Sequence, residues 1–147
     1  MRFPDAAWFL ALGRLMETRG ELFRRIGYVE TRLVVRVLPD EGGGGVERNV
    51  GLVFEGYALT AARELNNGAI AEFDADFVVC ARAAIWRRML DEITRGGRPE
   101  LRRTLNSLAL IGDEMWLESS DQLREDKFYR FNQSLQEFFN LAAQLPP

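Results

Sequence analysis

Glu55, Asp76 and Asp113 stand beside breaks in the apolar patterning, and they are the carboxylates of this chain that could serve as general acid or base. Histidine is absent, which removes both the commonest general base and the commonest neutral metal ligand. Ser-His-Asp and Cys-His relays therefore cannot form within the chain. A zinc site needs several Cys or His ligands, and Cys80 is the one cysteine, so neither a metal nor another cofactor is expected. Carboxylates at strand ends are ordinarily turn-formers or ion-pair partners. Nothing in the spacing of these three sets them apart from that role, and the expectation is a protein that is not an enzyme.

Two further patterns invite a chemical reading. Gly42 to Gly45 form a run of glycines, but a phosphate cradle requires a lysine or a Gly-x-Gly-x-x-Gly turn leading into a helix. Here another β-like run follows, so the glycines read as a connector. Arg87 with Arg88 and Arg102 with Arg103 are adjacent basic pairs that read as solvated helix faces, with recognition of a carboxylate or phosphate head group as the alternative. Of the 19 basic side chains only Lys127 is a lysine, the formal charge is -3, and basic and acidic residues are interspersed. No single stripe would neutralise a row of phosphates, which argues against nucleic acid as a partner.

The elements that must position these residues are legible from periodicity. With 147 residues, 47% hydrophobic and 28% charged, the chain fits a single globular domain over 1–147. Trp8, Phe9, Leu12, Leu15 and Met16 recur at helical spacing after Pro4-Asp5, and Leu22, Phe23 and Ile26 predict a further turn closed by Gly27. From Val29 the period becomes two. Val29, Thr31, Leu33, Val35 and Val37 share one face of a strand, and Val46 to Phe54 and Tyr57 to Leu65 predict two more, the last ending at the turn signal Asn66-Asn67-Gly68. Asp76 to Ala81 predicts a fourth strand running straight into a helix with Ile85, Trp86, Met89 and Leu90 on one face. Pro99 suits the start of a short helix carrying Leu101 and Leu105, and Leu108 to Ile111 predicts a fifth strand ended by Gly112-Asp113. Met115, Trp116 and Leu117 form an apolar cluster. A final helix over 124–144 spaces Phe128, Phe131, Leu135, Phe138 and Leu141 at threes and fours. No run of about 18 apolar residues exists, so no integral membrane segment is expected. An unpaired cysteine and an opening without a charged-then-apolar leader predict a reducing, cytoplasmic location.

This order, with Asp76-Phe77-Val78-Val79-Cys80-Ala81 feeding Ile85-Trp86-Arg87-Arg88-Met89-Leu90 and later Leu108-Ala109-Leu110-Ile111-Gly112-Asp113, resembles the sterol carrier protein domain over roughly 23–123. Two positions depart from the family pattern. Asn106-Ser107 stand where Gly-Lys is frequent, and Arg82 stands where a serine or threonine helix cap is usual. The resemblance implies an α+β fold, a five-stranded, mostly antiparallel sheet with helices packed on one face and an apolar tunnel between the layers. It implies an apolar ligand as partner: sterol, fatty acid, acyl-CoA or phospholipid. In that fold Leu52, Phe54, Leu59, Phe77, Ile85, Trp86, Met89, Leu90, Leu105, Leu108, Leu110, Met115 and Trp116 would converge on the ligand. Methionine suits such a place because its thioether chain re-packs around differing shapes.

Two non-catalytic functions follow, and the sequence leaves both open. One is lipid binding or carrying. The other is a protein–protein interaction module whose tunnel is filled by side chains. The aromatic content of the final helix, from Phe128 and Tyr129 through Phe131 to Phe138 and Phe139, predicts either closure of the tunnel mouth or a homodimer through that helix.

Overall fold

A ten-residue run rich in β-branched side chains makes the central strand, β1 (Val29–Leu38). Pro39 and the following glycines turn the chain back into β2 (Arg48–Gly56), and β3 (Ala58–Leu65) follows after a short reversal. The remaining strands are β4 (Phe77–Arg82) and β5 (Met115–Glu118), giving the sheet order β3-β2-β1-β4-β5. Among the described residues only the β1–β4 pairing is parallel; β1–β2, β2–β3 and β4–β5 are antiparallel. The computed structural model describes residues 1–146. Its mostly antiparallel five-stranded sheet carrying helices is the architecture expected from the order of elements.

The odd-numbered side chains of β1 face the main helical layer, as their alternation requires. Val29, Leu33, Val35 and Val37 are joined there by Val50, Leu52 and Phe54 of β2 and by Phe77 and Val79 of β4. Against them pack α1 (Ala6–Thr18), α2 (Gly20–Ile26), α4 (Ala83–Gly96) and α6 (Gln122–Asn140), with α3 (Asn67–Phe73) and α5 (Leu105–Ile111) between them in chain order. Trp8, Phe9, Leu12 and Met16 come from α1, Trp86, Met89 and Ile93 from α4, and Phe128, Leu135, Phe138 and Phe139 from α6. Gly13 lets α1 lie close on β3, since a Cβ there would stand 3.1 Å from the Leu59 side chain.

Three features differ from the sequence expectation. Leu108 to Ile111 is not a strand: it ends α5, whose start is fixed by Thr104 accepting a hydrogen bond from the Ser107 backbone N–H at 3.2 Å. Such a cap satisfies an otherwise orphaned donor, and Gly112, at φ +81°, stops the helix in the left-handed conformation. The fifth strand is instead Met115–Glu118. Second, the Asn66-Asn67-Gly68 turn opens α3, because the Asn66 side chain caps Ala69 N at 3.0 Å. This helix covers the opposite face of the sheet, where Phe73 joins Val34 and Leu65 in a small second cluster. Third, a register shift at Val53/Phe54 breaks the strict alternation of β3, so Leu59 and Ala62, not Leu59 and Ala61, join the main core. The last helix ends at Asn140, and a 3-10 turn, Leu141–Gln144, completes the segment expected over 124–144.

Candidate functional site

The space between the odd-numbered face of β1 and the helices is filled by aromatic rings in contact. Phe54 of β2 meets Phe138 edge-on at 5.0 Å between centroids, Phe138 meets Phe139 at 5.8 Å, and Phe139 stacks on Trp86 at 5.7 Å. From Trp86 the series continues to Phe3 at 5.7 Å and on to Trp8 at 5.2 Å. Phe77 and Phe128 form a parallel branch at 5.6 Å. Each such pair contributes about 0.5–1.5 kcal/mol beyond the area it buries, so the layer is held by packing as well as by exclusion of water.

Leu52, Phe54, Phe77, Trp86, Met89, Leu105, Leu108 and Met115 all lie in this one cluster, and Leu59, Ile85 and Leu90 pack on its margin. Two expected lining residues do not. Leu110 is 66% exposed, because in a helix it points away from the face that buries Leu105 and Leu108. Trp116 follows the buried Met115 along β5 and so turns to the opposite face of the sheet. There it pairs in register with Cys80, and its indole N–H donates to Glu118 at 3.3 Å. That face carries a polar group around Arg36, whose guanidinium reaches Asn49 Oδ1 at 2.8 Å and Glu118 at 2.9 Å. Cys80 is buried among them. Desolvation first, and then the nearby Glu118 charge, push its thiol up to about 12, so it stays protonated and unreactive at neutral pH.

A notch of about 270 Å³ opens where β4 has not yet begun to flank β1, with Thr31, Phe54, Glu55, Asp76 and Lys127 in its wall. Asp76 is its anchor. The carboxylate accepts from Thr31 Oγ1 at 2.9 Å, Arg32 N at 3.0 Å, Arg124 Nε at 3.1 Å and Lys127 Nζ at 3.3 Å. Burial works against the charge here, but the Arg32 N–H, the Thr31 hydroxyl and the Arg124 guanidinium together outweigh it and hold the carboxyl below its ordinary range. A carboxylate so stabilised ties α6 to the sheet and is a weak base. Glu55 accepts from Thr60 Oγ1 at 2.9 Å, and Asp113 caps Glu114 N at 2.7 Å. Both do the turn and pairing work common for carboxylates in such positions. Thr31, Arg124 and Lys127 are the partners that sequence reading missed. Only the inward register of Thr31, a polar residue in an otherwise aliphatic row, marked the place.

The basic pairs are engaged with carboxylates. Arg87 contacts Asp40 at 2.8 Å, Arg88 and Arg103 each approach Glu92 at 3.7 Å, and Arg102 contacts Glu100 at 3.2 Å. The rings of the last helix face inward as well: Phe128, Phe138 and Phe139 are buried, and Tyr129 and Phe131 are partly buried against the same core. Little of the aromatic surface expected there is left over, and nothing among the described residues supports a homodimer through α6. Among the described residues no helix is long and apolar enough to cross a membrane.

No family model matches this sequence, and no curated protein matches it. Two solved structures are similar to it in fold. One is the solution structure of a conserved protein from Thermus thermophilus, whose description suggests a sterol carrier protein; it is 23% identical, with a TM-score of 0.68 over 98% of this chain and 90% of that one. The other is a crystal structure of sterol carrier protein 2, 25% identical, with a TM-score of 0.67 over 95% of this chain and 96% of that one. The resemblance seen in the order of elements is therefore present at the level of the whole fold.

Proposed function

We propose that this protein binds, and carries, an apolar lipid-like molecule between its sheet and its helical layer, without catalysing a reaction. One observation carries the reading: the layer is lined almost entirely by apolar side chains, and among the described residues it holds no fully buried polar side-chain atom left without a partner for a ligand to meet. The Trp86 indole N–H is already donated to the Arg36 carbonyl at 3.1 Å, and the Thr31 hydroxyl to Asp76 at 2.9 Å. Among the described residues the one buried side-chain polar atom without a partner is Arg103 Nε, which faces the charged Glu92. A guest in this layer gains by burial of apolar area and by nothing else, which selects sterols, acyl chains and their esters over polar metabolites. Met16, Met89 and Met115 lie in the same cluster and supply adaptable walls. The two structural neighbours support the class of ligand, since the descriptions of both refer to sterol carrier proteins. The reading keeps the chain as one binding domain in a reducing cytoplasm, where its single thiol needs no partner.

A second reading rests on the same rings. They already fill the layer, and a filled layer would make the protein an interaction module with a lipid carrier's fold. A fluorescent polyene fatty acid separates the two. Saturable binding with energy transfer from the tryptophans, displaced by palmitate or cholesterol, is expected. If the probe, palmitate and cholesterol all fail to bind at about 100 μM, and native mass spectrometry of protein purified from cells shows no retained lipid, the carrier role falls and the interaction module remains.

A further inference from the structure

Residues 1–5 lie as a strap across one end of the aromatic layer, and cavities flank it on both sides. The first, about 470 Å³, is walled by Phe3, Val37, Leu38 and Val46 together with Arg48 and Arg87. The second, about 250 Å³, is walled by Trp8, Leu90, Ala142 and Leu145. Arg2 borders both. Phe3 lines the first, and its ring stands edge-on against Trp8, which lines the second, at 5.2 Å. The same ring covers Trp86 at 5.7 Å and Phe9 at 5.9 Å. Taking Phe3 out of its seat would therefore uncover Trp86 and Phe9, the end of the ring series that fills the layer.

The strap is held by few bonds. Asp5 N donates to the Arg2 carbonyl at 2.7 Å, Arg2 N donates to Asp5 Oδ2 at 3.0 Å, and Arg48 pairs with Asp5 at 3.1 Å. The larger cavity is cationic on one wall. Arg48 also pairs with Glu64, Arg87 is held by Asp40 at 2.8 Å, and Arg2 makes no ion pair among the described residues. Asp40 accepts in addition from Ala84 N at the start of α4, at 2.9 Å. The Asp40 carboxylate thus sits where a carboxylate or phosphate would be best received, between a helix-start N–H and a guanidinium. Gly43 and Gly45, without side chains, leave the approach from the β1–β2 loop open.

We infer that the strap is the gate of the binding layer, where Phe3 is a removable plug and Arg87, with Arg2 and Arg48, receives the head group of an anionic amphiphile whose tail takes the place of the Phe3 ring. The inference rests on the lipid-binding reading and adds to it a point of entry and a preference for a charged over a neutral head. Asp40 is then an internal competitor for Arg87. Removing its charge should favour the ligand.

The experiment compares cis-parinaric acid with its methyl ester, which share a chain and differ in charge, on the full chain and three variants. The wild type is expected to bind the acid more tightly than the ester. Arg87→Gln should lower the acid-to-ester affinity ratio about 3- to 10-fold, the size of one charge-assisted contact near the surface. Asp40→Asn should raise that ratio by a similar factor, since asparagine still caps Ala84 N. A gain of this kind cannot come from misfolding. Phe3→Ala should tighten both ligands and leave their ratio unchanged. If acid and ester bind but the ratio ignores both charge substitutions, or binding ignores Phe3→Ala, the gate is overturned while the lipid-binding reading stands. Absence of binding by both ligands in every variant overturns the two together.

Discussion

Replacing Asp76 by asparagine keeps the shape of the side chain and removes its charge, which makes it a sharp probe of how α6 is fastened to the sheet. Four donors converge on the carboxylate, three of them, from Thr31, Arg32 and Lys127, on Oδ2. An asparagine presents one oxygen; placed where Oδ2 stands it still accepts from Thr31 and Arg32, but its NH2 group then faces the Arg124 guanidinium, and Arg124 and Lys127 both lose their counter-charge. Breaking a buried charge pair costs about 3–5 kcal/mol. The cations are less hidden, with side-chain exposures of 27% for Arg124 and 31% for Lys127, and they recover water, which brings the expected loss to about 2–4 kcal/mol. At the scale of this chain that is a fall in Tm of about 5–15 °C, read by circular dichroism at pH 7. The pH dependence follows in sign. The folded-state pKa of Asp76 lies below its unfolded value, so its contribution is complete above the unfolded pKa of about 3.9 and disappears as the pH falls through the folded one. The wild type should lose this increment below about pH 4, and Asp76→Asn should not. Asp74→Asn, with a side chain 75% exposed, is the control and should change stability by less than about 1 kcal/mol. Equal melting of Asp76→Asn and Asp74→Asn would refute the claim that the converging donors fasten the helix.

Two further outcomes are expected. Gly51→Val places a branched side chain where even a Cβ would stand 2.7 Å from the Phe73 ring. It should cost about 1–3 kcal/mol as an overpacked contact and speed proteolysis within residues 66–75 as α3 lifts; unchanged melting and unchanged cleavage would show that α3 is not seated on Gly51. Leu108→Asp should unfold the protein or lower its Tm by more than about 10 °C, while Leu110→Asp should stay within about 0.5 kcal/mol of the parent. Similar damage from both would contradict a helix with one buried face at this segment.

The part of the fold that the sequence made plain is the part where one period rules. β1 was legible because Val29, Thr31, Leu33, Val35 and Val37 alternate without interruption, and the four aliphatic members of that row do join the helical core. α4 was legible because Ile85, Trp86, Met89 and Leu90 fall at helical spacing; Trp86 and Met89 are buried, and Ile93, which the sequence reading did not name, extends the same face. What escaped were elements too short for periodicity to speak. Leu105 to Ile111 is seven residues long, and a run of Leu-Ala-Leu-Ile satisfies a buried strand and a helix end equally; the cap at Thr104 and the stop at Gly112 decide it. α3 hid behind an Asn-Gly signal that serves turns and helix starts alike. The missing cap at Arg82 was likewise resolved at long range. The local sequence offers no side chain for the role, and Asp40, 44 residues before Ala84, supplies it from the β1–β2 loop. The bonds that define the candidate site are of this kind: Thr31 to Asp76 spans 45 residues and Lys127 to Asp76 spans 51, distances over which residue order alone carries no register.

How the layer opens decides which lipids it can hold. Lifting α6 would expose Phe128, Leu135, Phe138 and Phe139, each worth about 1.5–3 kcal/mol of burial, and would break the Asp76 pairs as well. Lifting the strap takes only Phe3, a ring already partly open to solvent, out of the core at about 2 kcal/mol, and the faces of Trp86 and Phe9 that it bares are covered again by the entering tail. The strap is the cheaper door by a wide margin. An acyl chain entering there gains about 0.8 kcal/mol per methylene against about 2 kcal/mol for the displaced ring and about 4 kcal/mol or more for association. A chain of ten methylenes then nets only about 2 kcal/mol, whereas fifteen net about 6 kcal/mol, equivalent to a Kd of tens of micromolar. Because each methylene multiplies affinity about fourfold until the tail fills the space, the physics of this doorway favours long-chain lipids and rejects their short-chain analogues, with no polar contact needed to tell them apart.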